Sequence, residues 1–162
     1  MKHTLSFFIF FAFTANAFCQ TRGEAENFIK KYIEGSPQNN GAENEKNDVI
    51  FLTNSDGEYL MVYSNYLPYI AQFIYTFSPK DIQSVTIDRT SMKGQNILIK
   101  IRLIFGKKVY LSVSNFNTEE YKDSFDIILG NSALADDIPN RLKKAIEHLS
   151  RLSGGGVSED RF

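Results

Sequence analysis

The chain has 162 residues, 43% of them hydrophobic and 23% charged, with a formal net charge of −1. That balance supports a buried core and gives no global positive field for nucleic acid, so no nucleic-acid partner is expected. Cys19 is the only cysteine, which rules out an intrachain disulfide and leaves stability to packing.

Lys2, the apolar run over 5–13 and the small residues in Ala15-Asn16-Ala17 or Ala17-Phe18-Cys19 make residues 1–19 a secretory signal peptide. The run is shorter than the ~20 residues of a bilayer span, so no stable membrane span is expected after cleavage. A lipoprotein anchored through Cys19 would need a small residue before the cysteine, and Phe18 stands there. The protein is expected to be exported, periplasmic or secreted.

Residues 20–34 read as an N-terminal helix. Thr21 and Glu24 have the spacing of a capping box, and Ala25, Phe28, Ile29, Tyr32 and Ile33 form an apolar stripe. Residues 35–47, GSPQNNGAENEKN, contain no large apolar side chain and read as a linker. From residue 48 the apolar period changes to that of strands. Short strands are expected at 48–53 and 58–63 around an Asp56-Gly57 turn. The uncharged run 66–77 fits a helix or a strand, with a strand near 71–77 followed by a turn at Ser78-Pro79-Lys80-Asp81. Further strands fall at 82–89, 96–105 and 109–113, the last two separated by a turn at Gly106-Lys107. Residues 115–121 read as a polar loop and 124–129 as the last strand. Residues 137–153 form an amphipathic helix: Ile138, Leu142, Ala145, Ile146, Leu149 and Leu152 share one stripe. Asp136 or Asp137 is expected to cap its start and Pro139 sits in its first turn, while Gly154-Gly155-Gly156 ends it. Residues 154–162 read as a disordered tail.

The expected fold class is therefore α+β, mainly β: about seven antiparallel strands in a barrel or strongly bent sheet, an N-terminal helix and a C-terminal capping helix. This pattern over 48–153 resembles the pleckstrin-homology-like (PH-like) superfold. The segments YTFSPKDIQSVTI and DIPNRLKKAIEHLSRLSGG are also similar to those of small exported bacterial proteins of uncharacterised function with that layout. The resemblance implies a barrel whose end is sealed by the last helix, and no particular activity. In that superfold, lipid-phosphate sites lie mainly in the first strands and the loop between them. Here that loop is Asn54-Ser55-Asp56-Gly57, without a basic cluster. A cystatin- or NTF2-like sheet wrapped on the first helix is the other architecture the pattern admits.

No Ser-His-Asp order, zinc spacing, glycine-rich phosphate loop or calcium loop occurs, so no catalytic, cofactor or metal site is expected. Three weaker candidates remain. Arg141, Lys144, His148 and Arg151 share one side of the last helix and would suit an anion or acidic partner; the plain reading is a solvated face. Lys100, Arg102, Lys107 and Lys108 read in the same way. Tyr59, Tyr63, Tyr66, Tyr69, Phe73 and Tyr75 crowd a charge-free stretch, either as core or as an aromatic patch for a partner. The expected function is that of an exported non-enzymatic domain binding a protein or peptide. The alternatives are a carrier of a small apolar ligand in the barrel and a cystatin- or NTF2-like binding domain.

Overall fold

The computed structural model describes residues 21–36, 46–68, 70–91, 97–114, 116 and 118–157. The segment read as a signal peptide, most of the segment read as a linker, Tyr69 and residues 158–162 lie outside them. Helix α1 (Arg22–Glu34) begins at the expected capping box: the Thr21 amide donates to Glu24 Oε2 at 2.7 Å, and Thr21 Oγ1 accepts from the Glu24 amide at 3.3 Å. Six strands follow, β1 (Lys46–Thr53), β2 (Tyr59–Leu67), β3 (Ala71–Phe77), β4 (Ile82–Ser91), β5 (Ile97–Val113) and β6 (Thr118–Leu129), then helix α2 (Ile138–Leu152). All the pairings are antiparallel. The result is an α+β, mainly β chain with one curled half-barrel sheet and two helices.

The β1–β2 turn forms as the Asp-Gly pair predicts. Asn54 Oδ1 accepts from the amides of Asp56 and Glu58, and Gly57 takes φ +78. The ambiguous run 66–77 resolves into the end of β2, a tight turn and β3.

β5 is one 17-residue strand where two strands and a turn at Gly106-Lys107 were expected. Its partners explain the difference. Residues 110–113 pair with β3, whereas residues 97–105 pair with β4. Along β6 the register jumps from Ile104↔Ser124 to Val109↔Lys122, so residues 105–108 stand opposite Asp123 alone. Gly106 thus sits in a bulged corner, which bends the strand without reversing it. The 3-10 turn Pro79–Asp81 bends the β3–β4 path at the same level. β6 begins at Thr118 and takes in part of the segment that reads as a loop. β1 likewise takes in Lys46 and Asn47 from the linker.

Both helices lie on the concave side of the sheet. Ile29 and Ile33 of α1 and Leu142, Ile146 and Leu149 of α2 join Val49, Met61, Ile99, Ile101, Leu103, Ile127 and Leu129 in one buried cluster. Alternation of side chains along each strand puts these residues on a single face. Five rings meet in the core: Phe125 stacks on Tyr75 at 4.2 Å, with Tyr63, Phe77 and Phe105 all within 5.7 Å of it.

Asn47 of β1, which is 2% exposed, clasps that edge strand to β6. Its Nδ2 donates to the carbonyls of Ile128 on β6 and Ile33 on α1. Its Oδ1 accepts from the Tyr63 hydroxyl at 3.0 Å and from Asn65 at 2.9 Å. Beside it, the Val49 amide donates to Glu34 at 3.0 Å.

The start of α2 departs from expectation. Asp136 and Asp137 both take left-handed φ, 54 and 56, and Asp137 makes no side-chain cap bond. Its carboxylate accepts from the Asn140 side chain instead. The residues after α2 are not a free tail as far as Val157, which is buried in the core, while Gly155 lies against Lys80 and Ser150.

Candidate functional site: the outer face of the sheet

The aromatic stretch divides by strand alternation. Tyr63 is buried, and Tyr75 packs beside it on the inner face. Burial pushes the Tyr75 hydroxyl above its ordinary pKa. The Tyr59 ring lies 4.6 Å from the Arg22 guanidinium, and its hydroxyl donates to Glu26. Burial and the Glu26 carboxylate hold that hydroxyl well above the usual tyrosine range. Phe73 packs with Ala71, Leu111 and Val113 near the end of the sheet. Only Tyr66 of the described members faces outward, and Tyr69 lies outside the described residues. The expected aromatic patch is thus mostly core, because odd-numbered residues of β2 and β3 point inward.

The outer face is built by their even-numbered neighbours. Ile50 pairs with Val62, Val62 with Thr76, Thr76 with Tyr110 and Tyr110 with Tyr121. These register partners make one uncharged row across β1, β2, β3, β5 and β6. Its ends are open, with Ile50 53% and Tyr121 66% exposed. Tyr110 and Tyr121 meet edge to face at 5.9 Å, and a bond to Glu119 raises the Tyr110 pKa. Leu52 and Leu60 flank the row on one side; Ser64, Ile74 and Ser112 flank it on the other.

The same face is charged beyond the corner. Past a first row of Ser84, Ile104 and Ser124, the rows read Thr86, Arg102, Asp126 and Asp88, Lys100, Ile128. Arg102 grips Asp126 through two hydrogen bonds of 2.7 and 3.0 Å, and that bond lowers the pKa of the Asp126 carboxyl.

A cleft of about 280 Å³ opens at the corner. Its walls include Leu60, Thr76, Tyr110 and Tyr121 from the outer face and Phe77, Phe105 and Val109 from the corner core. Its charged groups are largely paired, Lys80 with Glu58 at 2.8 Å and Lys107 with Asp81 at 3.6 Å.

On α2, Arg141, Lys144 and Arg151 lie on the solvent side and His148 is half-buried. The Arg141 guanidinium stands 5.0 Å above the Phe28 ring of α1. The described residues contain no group of three or more His, Cys, Asp or Glu able to hold a metal ion, and no helix long and apolar enough to cross a membrane. No protein-family model matches the chain, and neither a curated protein nor a solved structure is similar to it.

Proposed function

We propose that this protein is an exported, non-enzymatic binding domain that engages another protein chain through the outer face of β1, β2 and β3, completed by Tyr110 and Tyr121. One observation carries the reading: the row from Ile50 to Tyr121 is uncharged and open at both ends, whereas the other half of the same face is charged. An antiparallel sheet with one wet face ordinarily alternates apolar-in with polar-out. β2 and β3 contain no charged residue on either face, so burial against their own core does not account for their composition.

The curled sheet with a C-terminal helix in its concavity supports a PH-like layout, in which α1 is an added second filler. Export rests on the leader. The carrier reading is less well supported, because side chains of both helices occupy the concave side where an apolar ligand would sit. Among the described residues, no polar constellation suited to acid–base or nucleophilic chemistry supports an enzyme.

The test compares two tagged double variants in native extracts resolved by size exclusion. Ile50→Lys with Tyr121→Ser should move the protein from complexes to its free elution position. Thr86→Lys with Ser124→Lys, on the charged half, should leave the profile of the unaltered protein. Identical profiles for both variants would refute the binding face.

A further inference from the structure

We infer that the solvent side of α1 and α2 is a cationic surface that attaches this protein to an anionic lipid bilayer. The two helices carry seven Lys or Arg residues against four Glu. Each of those carboxylates is turned to another task. Glu24 accepts from the Thr21 amide, Glu26 from the Tyr59 hydroxyl and Glu34 from the Val49 amide, while Glu147 lies 3.7 Å from Lys143. Lys30 is taken up by Glu34 at 3.6 Å. Arg22, Lys31, Arg141, Lys144 and Arg151 are left, all exposed, and none of them forms an ion pair among the described residues.

Helix geometry gathers these cations on one side. Lys144 follows Arg141 by three residues and Arg151 follows Lys144 by seven, close to two turns, so the three share a stripe. The Arg141 guanidinium stands 5.0 Å from the Phe28 ring, which lies 4.6 Å from Tyr32, and Lys31 Nζ stands 5.1 Å from the Tyr32 ring. At the other end, Arg22 donates to the Leu152 carbonyl at 2.9 Å. The stripe is ~15 Å long at ~1.5 Å per residue, and packed helices lie ~8–10 Å apart. The Debye length is ~10 Å at 0.1 M salt, so neighbouring cations act as one field. Asp136 and Asp137 stand just before α2, at the Arg141 end, where the Asp137 carboxylate accepts from Asn140. The whole chain has a formal net charge of −1, so only an oriented patch can draw it to an anionic surface. This patch points away from the outer face of the sheet, because the helices fill the concave side.

The make-up of the patch favours a bilayer over an acidic protein. Its rings lie under cations, and Leu152, 41% exposed, is the one large apolar side chain that either helix leaves exposed. A protein interface needs a desolvated apolar centre and is poor in lysine there. Burying these ammonium and guanidinium heads against carboxylates costs about as much as the attraction returns. Lipid headgroups leave them hydrated and demand no fixed geometry. Each Lys or Arg held near an anionic leaflet strengthens attachment about fivefold, and attachment without an inserted chain stays reversible. The protein-binding face proposed above then looks away from the membrane.

Co-sedimentation of the protein, purified as exported, with lipid vesicles tests this. The protein should pellet with vesicles of phosphatidylcholine and phosphatidylglycerol, not with phosphatidylcholine alone, and be released at ~1 M salt, where the Debye length is ~3 Å. Lys144→Gln with Arg151→Gln should weaken attachment at least about tenfold at an unchanged thermal midpoint, and Lys31→Gln with Arg141→Gln should do the same. Lys46→Gln with Lys108→Gln removes equal charge from β1 and the corner and should leave attachment within about twofold of the parent. No pelleting with the anionic vesicles, equal pelleting with neutral ones, or equal loss from all three pairs overturns the inference. Binding to polyglutamate but not to the vesicles would also overturn it, and would assign the patch to an acidic protein.

Discussion

Asn47 is the residue on which the seam of the half-barrel turns. It is buried and serves β2, β6 and α1 at once. Truncation to alanine removes those bonds and leaves the part-buried Ile128 carbonyl without its Asn47 donor, which costs about 2–3 kcal/mol. Tyr63→Phe removes the bond to Asn47 and costs about 1 kcal/mol. Urea unfolding of the two variants checks this, and an Asn47→Ala protein as stable as the parent would show that the seam is held elsewhere. Gly155 makes a second test at this scale. A Cβ there would sit 2.6 Å from the Lys80 carbonyl oxygen and 2.9 Å from its Cα, whereas one on Gly156 meets nothing within 4 Å. Gly155→Ala should cost about 1–3 kcal/mol, as overpacking against backbone does. Gly156→Ala should leave the melting temperature unchanged. Neither role was legible in the sequence. Asn47 reads as linker because its partners lie on remote strands and a helix, and the glycine run reads as a helix stop because its docking depends on the 3-10 turn at Lys80.

Among the elements, α2 was the most legible, since its apolar stripe follows the helical period and its buried face is the one that the stripe names as far as Leu149; Leu152, at the helix end, is 41% exposed. Leu142 is fully buried, so Leu142→Asp should unfold the domain, seen as loss of the cooperative thermal transition. Arg141→Ala removes an exposed cation over Phe28 and should change stability by less than about 1 kcal/mol. The corner was not legible. Gly106-Lys107 has the chemistry of a tight turn and of a bulge alike, and only the pairing of β5 with β3 and then β4 separates them. At the corner's charged side, the Arg102 bond lowers the Asp126 pKa. A carboxyl with a depressed folded pKa adds stability above its unfolded value of ~3.9, and that stability is lost as pH falls toward the folded value. Arg102 is 54% exposed at its side chain, so the effect is at most about 1 kcal/mol after solvent screening. Arg102→Met should therefore lower stability near neutral pH, with the gap to the parent closing below about pH 4. A gap of constant size down to acid unfolding would assign it to packing.

For the whole molecule, the two faces of the sheet carry different information. The inner face was readable as alternation, and with it the mainly β class and the antiparallel pairing. The outer face was readable only in part. The unbroken run Leu60-Met61-Val62-Tyr63 signals a strand apolar on both sides. Yet the row itself joins positions 50, 62, 76, 110 and 121, which no local window brings together. The aromatic density of β2 and β3 belongs chiefly to the core, and the outward residues are Ile50, Val62, Thr76 and Tyr66 with two tyrosines from later strands. Contact at this face in the producing cell is the central claim. A photo-reactive amino acid at position 50, 62 or 121 should yield covalent protein adducts on illumination, whereas positions 86 and 124 on the charged half should yield none. Adducts from all five positions alike, or from none of the first three, would contradict it.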